Sequence, residues 1–131
     1  MSSVKAVPVT NRLLSALPRK ERELLLSHCE PVELVIAETL LHAGEPIPHV
    51  YFPTGGFISL VMPIDASEYL EVGLVGNEGM LGITLILGVD AAPFHALVQG
   101  AGTALRITAA EFLLIAAASS SRAPQARRPR T

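Results

Sequence analysis

Two short segments of this chain carry the residues with chemical interest. The first is Gly76-Asn77-Glu78-Gly79-Met80-Leu81-Gly82, and the second opens Ala92-Pro93-Phe94-His95-Ala96. Together they have the layout of a phosphate-binding loop: a glycine turn, a short helix, a tight loop and a strand. Such loops work because backbone N–H groups at a helix start point at the anion, where the helix dipole also favours negative charge. A guanidinium or ammonium then completes the site through charge-assisted hydrogen bonds. Neither segment contains Lys or Arg, and their only ionisable side chains are Glu78 and His95. The pattern is a cradle for an anion without its cation.

Other chemistries find less support. Cupin-like metal sites need clustered ligands, commonly a His-x-His pair with a Glu and a later His. His28, His42, His49 and His95 never approach that spacing. Ser59 and Ser67 lack the glycine elbow that exposes a nucleophile. Cys29, the single cysteine, falls in an apolar helical pattern with Leu24 and Leu25 and reads as a small core residue. Glu78 reads as a solvated loop acid, or as one that reaches a ligand if the loop register differs; His95 reads as a half-exposed strand histidine, or as an anion ligand when protonated. Met80 and Phe94 either line an apolar ligand pocket or simply fill space. No catalytic residue, metal or cofactor is expected, and the chain is not read as an enzyme.

These residues must be positioned by about one domain's worth of chain, 131 residues. Half of them are apolar, aromatics make up 5%, and Trp is absent, so the core must be aliphatic. Ten Gly and ten Pro imply frequent turns and many short strands. The net charge of -2 conceals four tail arginines from Arg122 to Arg130; without them the body is about six units negative. An acidic body argues against nucleic-acid binding across its surface. No signal-peptide pattern or apolar run long enough to span a membrane is present, so a soluble cytoplasmic protein with no membrane partner is expected.

Asn11 suits the cap of a short first helix carrying Leu13, Leu14 and Leu17. Pro18 suits the first position of a second, with Pro31 beyond its end. From Val32 the period changes to that of strands. Strands are expected near 32–36, 39–42, 48–53, 57–62, 69–75, 94–99 and 103–107. Pro48 and Pro53 mark their strand as short or at an edge. Leu70, Val72 and Leu74 are expected to face inward. Met80 to Leu87 reads as a short helix. Thr108 and Glu111 form a capping box for a last helix. The expected organisation is an N-terminal extension over 1–10, a domain over 11–118, and a disordered basic tail over 119–131. The fold class is mainly β, a jelly-roll or double-stranded β-helix barrel flanked by N- and C-terminal helices.

The order of these segments resembles the sensor domain of the cyclic AMP receptor protein/Fnr (Crp/Fnr) family of transcription regulators. The resemblance runs from about Asn11 to Ile115. It is carried by Asn11 to Pro18 with Glu21 to Leu26, by His42 to Pro46, by His49 to Leu60, and by Glu71 to Gly82. It implies a cyclic-nucleotide-binding-like jelly roll. In that family a Gly-Glu-Leu run takes the ribose hydroxyl and an Arg-Ser pair takes the phosphate. Gly79-Met80-Leu81 is similar to the first, with Met80 where the Glu would be. Phe94-His95-Ala96 is similar to the second, with Phe94 where the Arg would be; a one-residue shift puts His95 there instead. The candidate ligand cassette is therefore Gly76, Asn77, Glu78, Gly79, Met80, Leu81, Gly82, Phe94, His95 and Ala96.

The resemblance implies a ligand-sensing domain of a Crp/Fnr-type regulator that does not bind cyclic AMP tightly and lacks its own DNA-reading domain. Its expected partners are a small-molecule effector and a second copy, bound weakly through the C-terminal helix. Specific DNA binding by this chain alone is not expected. The alternatives are a cupin-like small-molecule-binding protein or enzyme, and a barrel with only a packing role.

Overall fold

The computed structural model describes residues 11–122, with side chains up to Ser119. The extension over 1–10 and the tail beyond Arg122 lie outside the described residues. Asn11 caps α1 (Arg12–Ser15) by accepting the Leu14 N–H at 3.0 Å. Pro18 stands at the cap of α2 (Arg19–His28), one position before the first turn, with its fixed φ of −55° leading into the helix. The last helix, α3 (Ala109–Arg122), starts on one half of the expected box: the Thr108 hydroxyl accepts the Glu111 N–H at 3.1 Å and itself donates to the Glu111 carboxylate at 3.3 Å. α3 continues past the boundary expected at Ser119. Serines are mediocre helix formers but do not break a helix.

Seven strands form among the described residues: β1 (Glu30–Leu34), β2 (Thr39–Leu41), β3 (His49–Pro53), β4 (Phe57–Pro63), β5 (Tyr69–Val75), β6 (His95–Gly100) and β7 (Gly102–Thr108). They make two antiparallel sheets, one in the order β1-β7-β3 and the other β2-β6-β4-β5. The jelly roll is thus a pair of sheets, not a closed barrel. β3, bracketed by prolines, is an edge, and so is β1, which carries Pro31. Gly56 (φ +78°) turns the chain into β4, where a Cβ would lie 2.2 Å from the Gly100 carbonyl oxygen, so only glycine fits.

The four-stranded sheet has two distinct faces. One carries Leu41, Ile58, Val75, Ala96 and Val98, all in the hydrophobic core. The cross-strand pairs Thr39–Leu97, Ser59–Leu97, Ser59–Leu74 and Val61–His95 place those side chains on the other face, turned away from that core. Within the three-stranded sheet, β3 is buried on both faces. α2 and α3 pack on β7 and on each other.

The expectation that Leu70, Val72 and Leu74 face inward is not met: they are 55%, 45% and 54% exposed. β5 is the edge of the wider sheet, and its pairing with β4 slips between Leu60 and Val61, which breaks the alternation. Leu74 falls opposite Ser59 on the outer face.

Candidate functional site

The Gly76–Gly82 segment is held by its own neighbours. The Gly79 N–H donates to the Gly76 carbonyl, and the Glu78 carboxylate turns back to accept the Gly76 N–H at 3.3 Å. The Arg12 N–H donates to the Asn77 carbonyl at 2.6 Å. The buried Asn11 amide donates to the Gly79 carbonyl at 2.9 Å and to the Pro53 carbonyl at 2.8 Å. Leu81, 1% exposed, exchanges two backbone hydrogen bonds with Tyr51 on β3. The segment is therefore clamped between α1 and β3.

The short helix starts later than the Gly79-Met80-Leu81 alignment places it. It is a 3-10 helix over Ile83–Leu87, entered through Gly82 in the left-handed region at φ +107°. A Cβ at Gly82 would meet the Val50 side chain at 3.1 Å. The side chain at the helix start is therefore that of Ile83, which is exposed. Gly88, also left-handed, ends the helix. The loop that follows is tied to the 44–47 turn by the Gly44 N–H to Ala92 carbonyl, Ala92 N–H to Glu45 carbonyl and Ile47 N–H to Asp90 carbonyl bonds.

The expected site residues separate into different surroundings. Met80 lines an apolar groove of about 280 Å³ between α1, α2, the 3-10 helix and α3, with Leu13, Leu17, Leu25, Phe52, Ile86 and Phe112 among its walls. Phe94 packs, half-buried, against the core, and Ala96 is fully buried within it. His95 points the other way. It lines a second pocket of about 270 Å³ on the outer face of the four-stranded sheet, with Thr39, His42, Val61, Tyr69 and Leu97.

A backbone hydrogen bond assigns the tautomer of His95 within that pocket. Its Nδ1 accepts the Ala43 N–H at 3.0 Å. An imidazole nitrogen that accepts a hydrogen bond bears no proton, so the ring proton is on Nε2. The His42 ring stands edge-on to His95 with centroids 6.3 Å apart, and Tyr69 does so at 5.9 Å. Sequence reasoning singled out His95 but not His42 or Tyr69. The signal for them was the strand pairing itself, since β2 lies beside β6 and β5 beside β4.

Among the described residues, no group of three His, Cys, Asp or Glu is close enough to hold a metal ion. Cys29 is half-buried against the core; burial, and then the Glu111 carboxylate, push its thiol up to about 11. No described helix is long and apolar enough to cross a membrane.

No family model matches this sequence, and no curated protein is significantly similar to it. Solved structures do match. The N-terminal domain of a transcriptional regulator from Streptomyces coelicolor is 18% identical with a TM-score of 0.68, over 88% of this chain and 84% of that one. The Thermus thermophilus catabolite activator protein is 16% identical with a TM-score of 0.67, over 83% of this chain and 51% of that one. A regulatory subunit of a cAMP-independent protein kinase A from Trypanosoma cruzi, bound to guanosine, is 14% identical with a TM-score of 0.71, over 83% of this chain and 39% of that one. The chain has the cyclic-nucleotide-binding jelly-roll fold.

Proposed function

We propose that this chain is the ligand-sensing domain of a Crp/Fnr-type transcription regulator, and that its ligand is not a cyclic mononucleotide. The fold, shared with regulators such as the Streptomyces coelicolor domain, supports the first part. The second rests on one observation. From Gly76 to Gly100 there is no Lys or Arg, and the short helix begins with Ile83. Charge-assisted hydrogen bonds to an ion contribute roughly 1.5–3 kcal/mol each. Losing two of them weakens a nucleotide by on the order of 10² or more.

The module has a route from ligand to output. α3 packs on both the 3-10 helix and β7. A ligand that displaces the 3-10 helix therefore changes the seat of α3, and differential affinity for the two positions biases the equilibrium between them. Leu114, 71% exposed on α3, is available to a second copy of the chain. This reading makes the chain a regulator, not an enzyme. A metal-dependent cupin-like enzyme would need a cluster of metal ligands, and the described residues hold no such group.

Calorimetric titration with cyclic AMP and cyclic GMP tests the proposal. Dissociation constants weaker than about 100 µM are expected. Low-micromolar binding of either nucleotide would overturn it.

A further inference from the structure

We propose that the outer face of the four-stranded sheet carries a ligand site of its own, which takes a neutral one- or two-ring aromatic compound bearing a hydrogen-bond acceptor. This goes beyond the sensor reading. The pocket opens on the side of the sheet opposite Ile58, Ala96 and Val98, and the argument holds whether or not the cassette binds anything.

Size comes first. An apolar cavity of about 150 Å³ holds benzene, so the 270 Å³ here suits one or two fused rings. Val61 and Leu97 give the pocket apolar walls, and His42, His95 and Tyr69 line it with three rings, His95 in T-shaped contact with each of the other two. Aromatic edges carry partial positive charge and pack favourably against the face of another ring. A planar ligand presenting its face to them fits that arrangement.

Polarity comes second. Because His95 accepts the Ala43 N–H at Nδ1, its Nε2–H is a fixed donor. It therefore selects a ligand with an acceptor such as a carbonyl oxygen or ring nitrogen. The same bond removes His95 as a metal ligand, since Nδ1 is occupied and Nε2 bears the proton. No Lys, Arg, Asp or Glu lines the pocket, so neither an anion nor a cation finds a fixed counter-charge.

The test is NMR of the histidine ring signals in the folded chain, titrated with nicotinamide and quinoline-3-carboxamide. Cyclohexanecarboxamide serves as the non-planar control and zinc as the metal control. Saturable shifts of the His95 and His42 signals are expected with an aromatic carboxamide and not with the control. His95→Leu should weaken binding by about fivefold to tenfold, the loss of one net hydrogen bond. Tyr69→Leu should weaken it severalfold while leaving the Ala43 bond intact, which decides the matter if His95→Leu does not fold. Three results would overturn the proposal. The first is no saturable shift below ~10 mM with either aromatic amide, weaker than any useful affinity. The second is equal binding of the cyclohexane control. The third is micromolar zinc binding at His42 and His95, which would require the other tautomer.

Discussion

Asn11 is the residue whose replacement tests the architecture of the cassette most directly. It is fully buried, and its side chain makes three hydrogen bonds: from Nδ2 to the Pro53 and Gly79 carbonyls, and at Oδ1 from the Leu14 N–H. A net value near 1 kcal/mol per bond puts Asn11→Ala at about 3 kcal/mol of lost stability, and more if the orphaned carbonyls stay dry. Asn11→Asp separates two explanations. If Asn11 were only a helix cap, Asp would serve equally well, since the two are equivalent caps, and Ala would cost about 1 kcal/mol. In this structure Asp keeps the cap bond but turns an oxygen toward two carbonyls. It should therefore be at least as damaging as Ala at pH 7. The introduced carboxyl is disfavoured as an anion there, so its folded pKa rises above the unfolded value of about 3.9. Stability is then retained below that value and lost as pH rises through the folded pKa. Acidification from pH 7 toward pH 4 should accordingly narrow the gap to wild type. Urea unfolding followed by circular dichroism reads both quantities. Asn11→Asp within about 0.5 kcal/mol of wild type at pH 7 would refute the reasoning, because such a small change is that of an ordinary surface site.

Three further outcomes follow from local structure. With its thiol at about 11, Cys29 is about one part in a thousand thiolate at pH 8, against roughly a quarter for a free thiol near 8.5; iodoacetamide should label the native chain at least 100-fold more slowly than the urea-unfolded chain, and equal rates would contradict the burial. Ser59→Ala removes a buried hydroxyl that has no partner and should leave stability unchanged or raise it by up to about 1 kcal/mol; a loss larger than that in urea unfolding would mean the hydroxyl is bonded. Leu74→Ser on the exposed face of β5 should cost about 0.5 kcal/mol or less, whereas Ile58→Ala on the core face should cost about 2–5 kcal/mol; similar values would mean the faces are misassigned.

The parts of the fold legible in the sequence are those whose physics is local. Thr108 and Glu111 announce α3 because a capping box spans only four residues, and both partners are visible together. Asn11 announces α1 for the same reason, yet two of its three bonds reach Pro53 and Gly79, and no local pattern contains them. β5 shows the other limit. Leu70, Val72 and Leu74 alternate with polar residues, and alternation reveals that a strand has two faces but not which one another layer covers. That depends on β5 being the outermost strand of the wider sheet. The cassette register is a third case. Gly79 and Gly82 look alike as letters, and only the left-handed backbone at Gly82 marks it as the residue that opens the helix.

The hydrogen bonding of the cassette also bears on what its ligand must do. In a loop whose backbone groups wait for an anion, the N–H groups would be free and the ligand would organise the turn. Here the Gly76 N–H is taken by Glu78 and the Gly79 N–H by Gly76, while the Asn77 and Gly79 carbonyls are bonded to α1. The Leu81 N–H and carbonyl are both spent on Tyr51. An incoming anion would have to displace the Glu78 carboxylate, itself negative, before reaching the Gly76 N–H. Those backbone groups are bonded within the protein, and α1 and β3 hold the segment. Met80 lines the apolar groove, and His95 lines the imidazole pocket. Met80 meets a groove between helices and His95 the outer face of the four-stranded sheet, so a change at one of these positions need not be felt at the other.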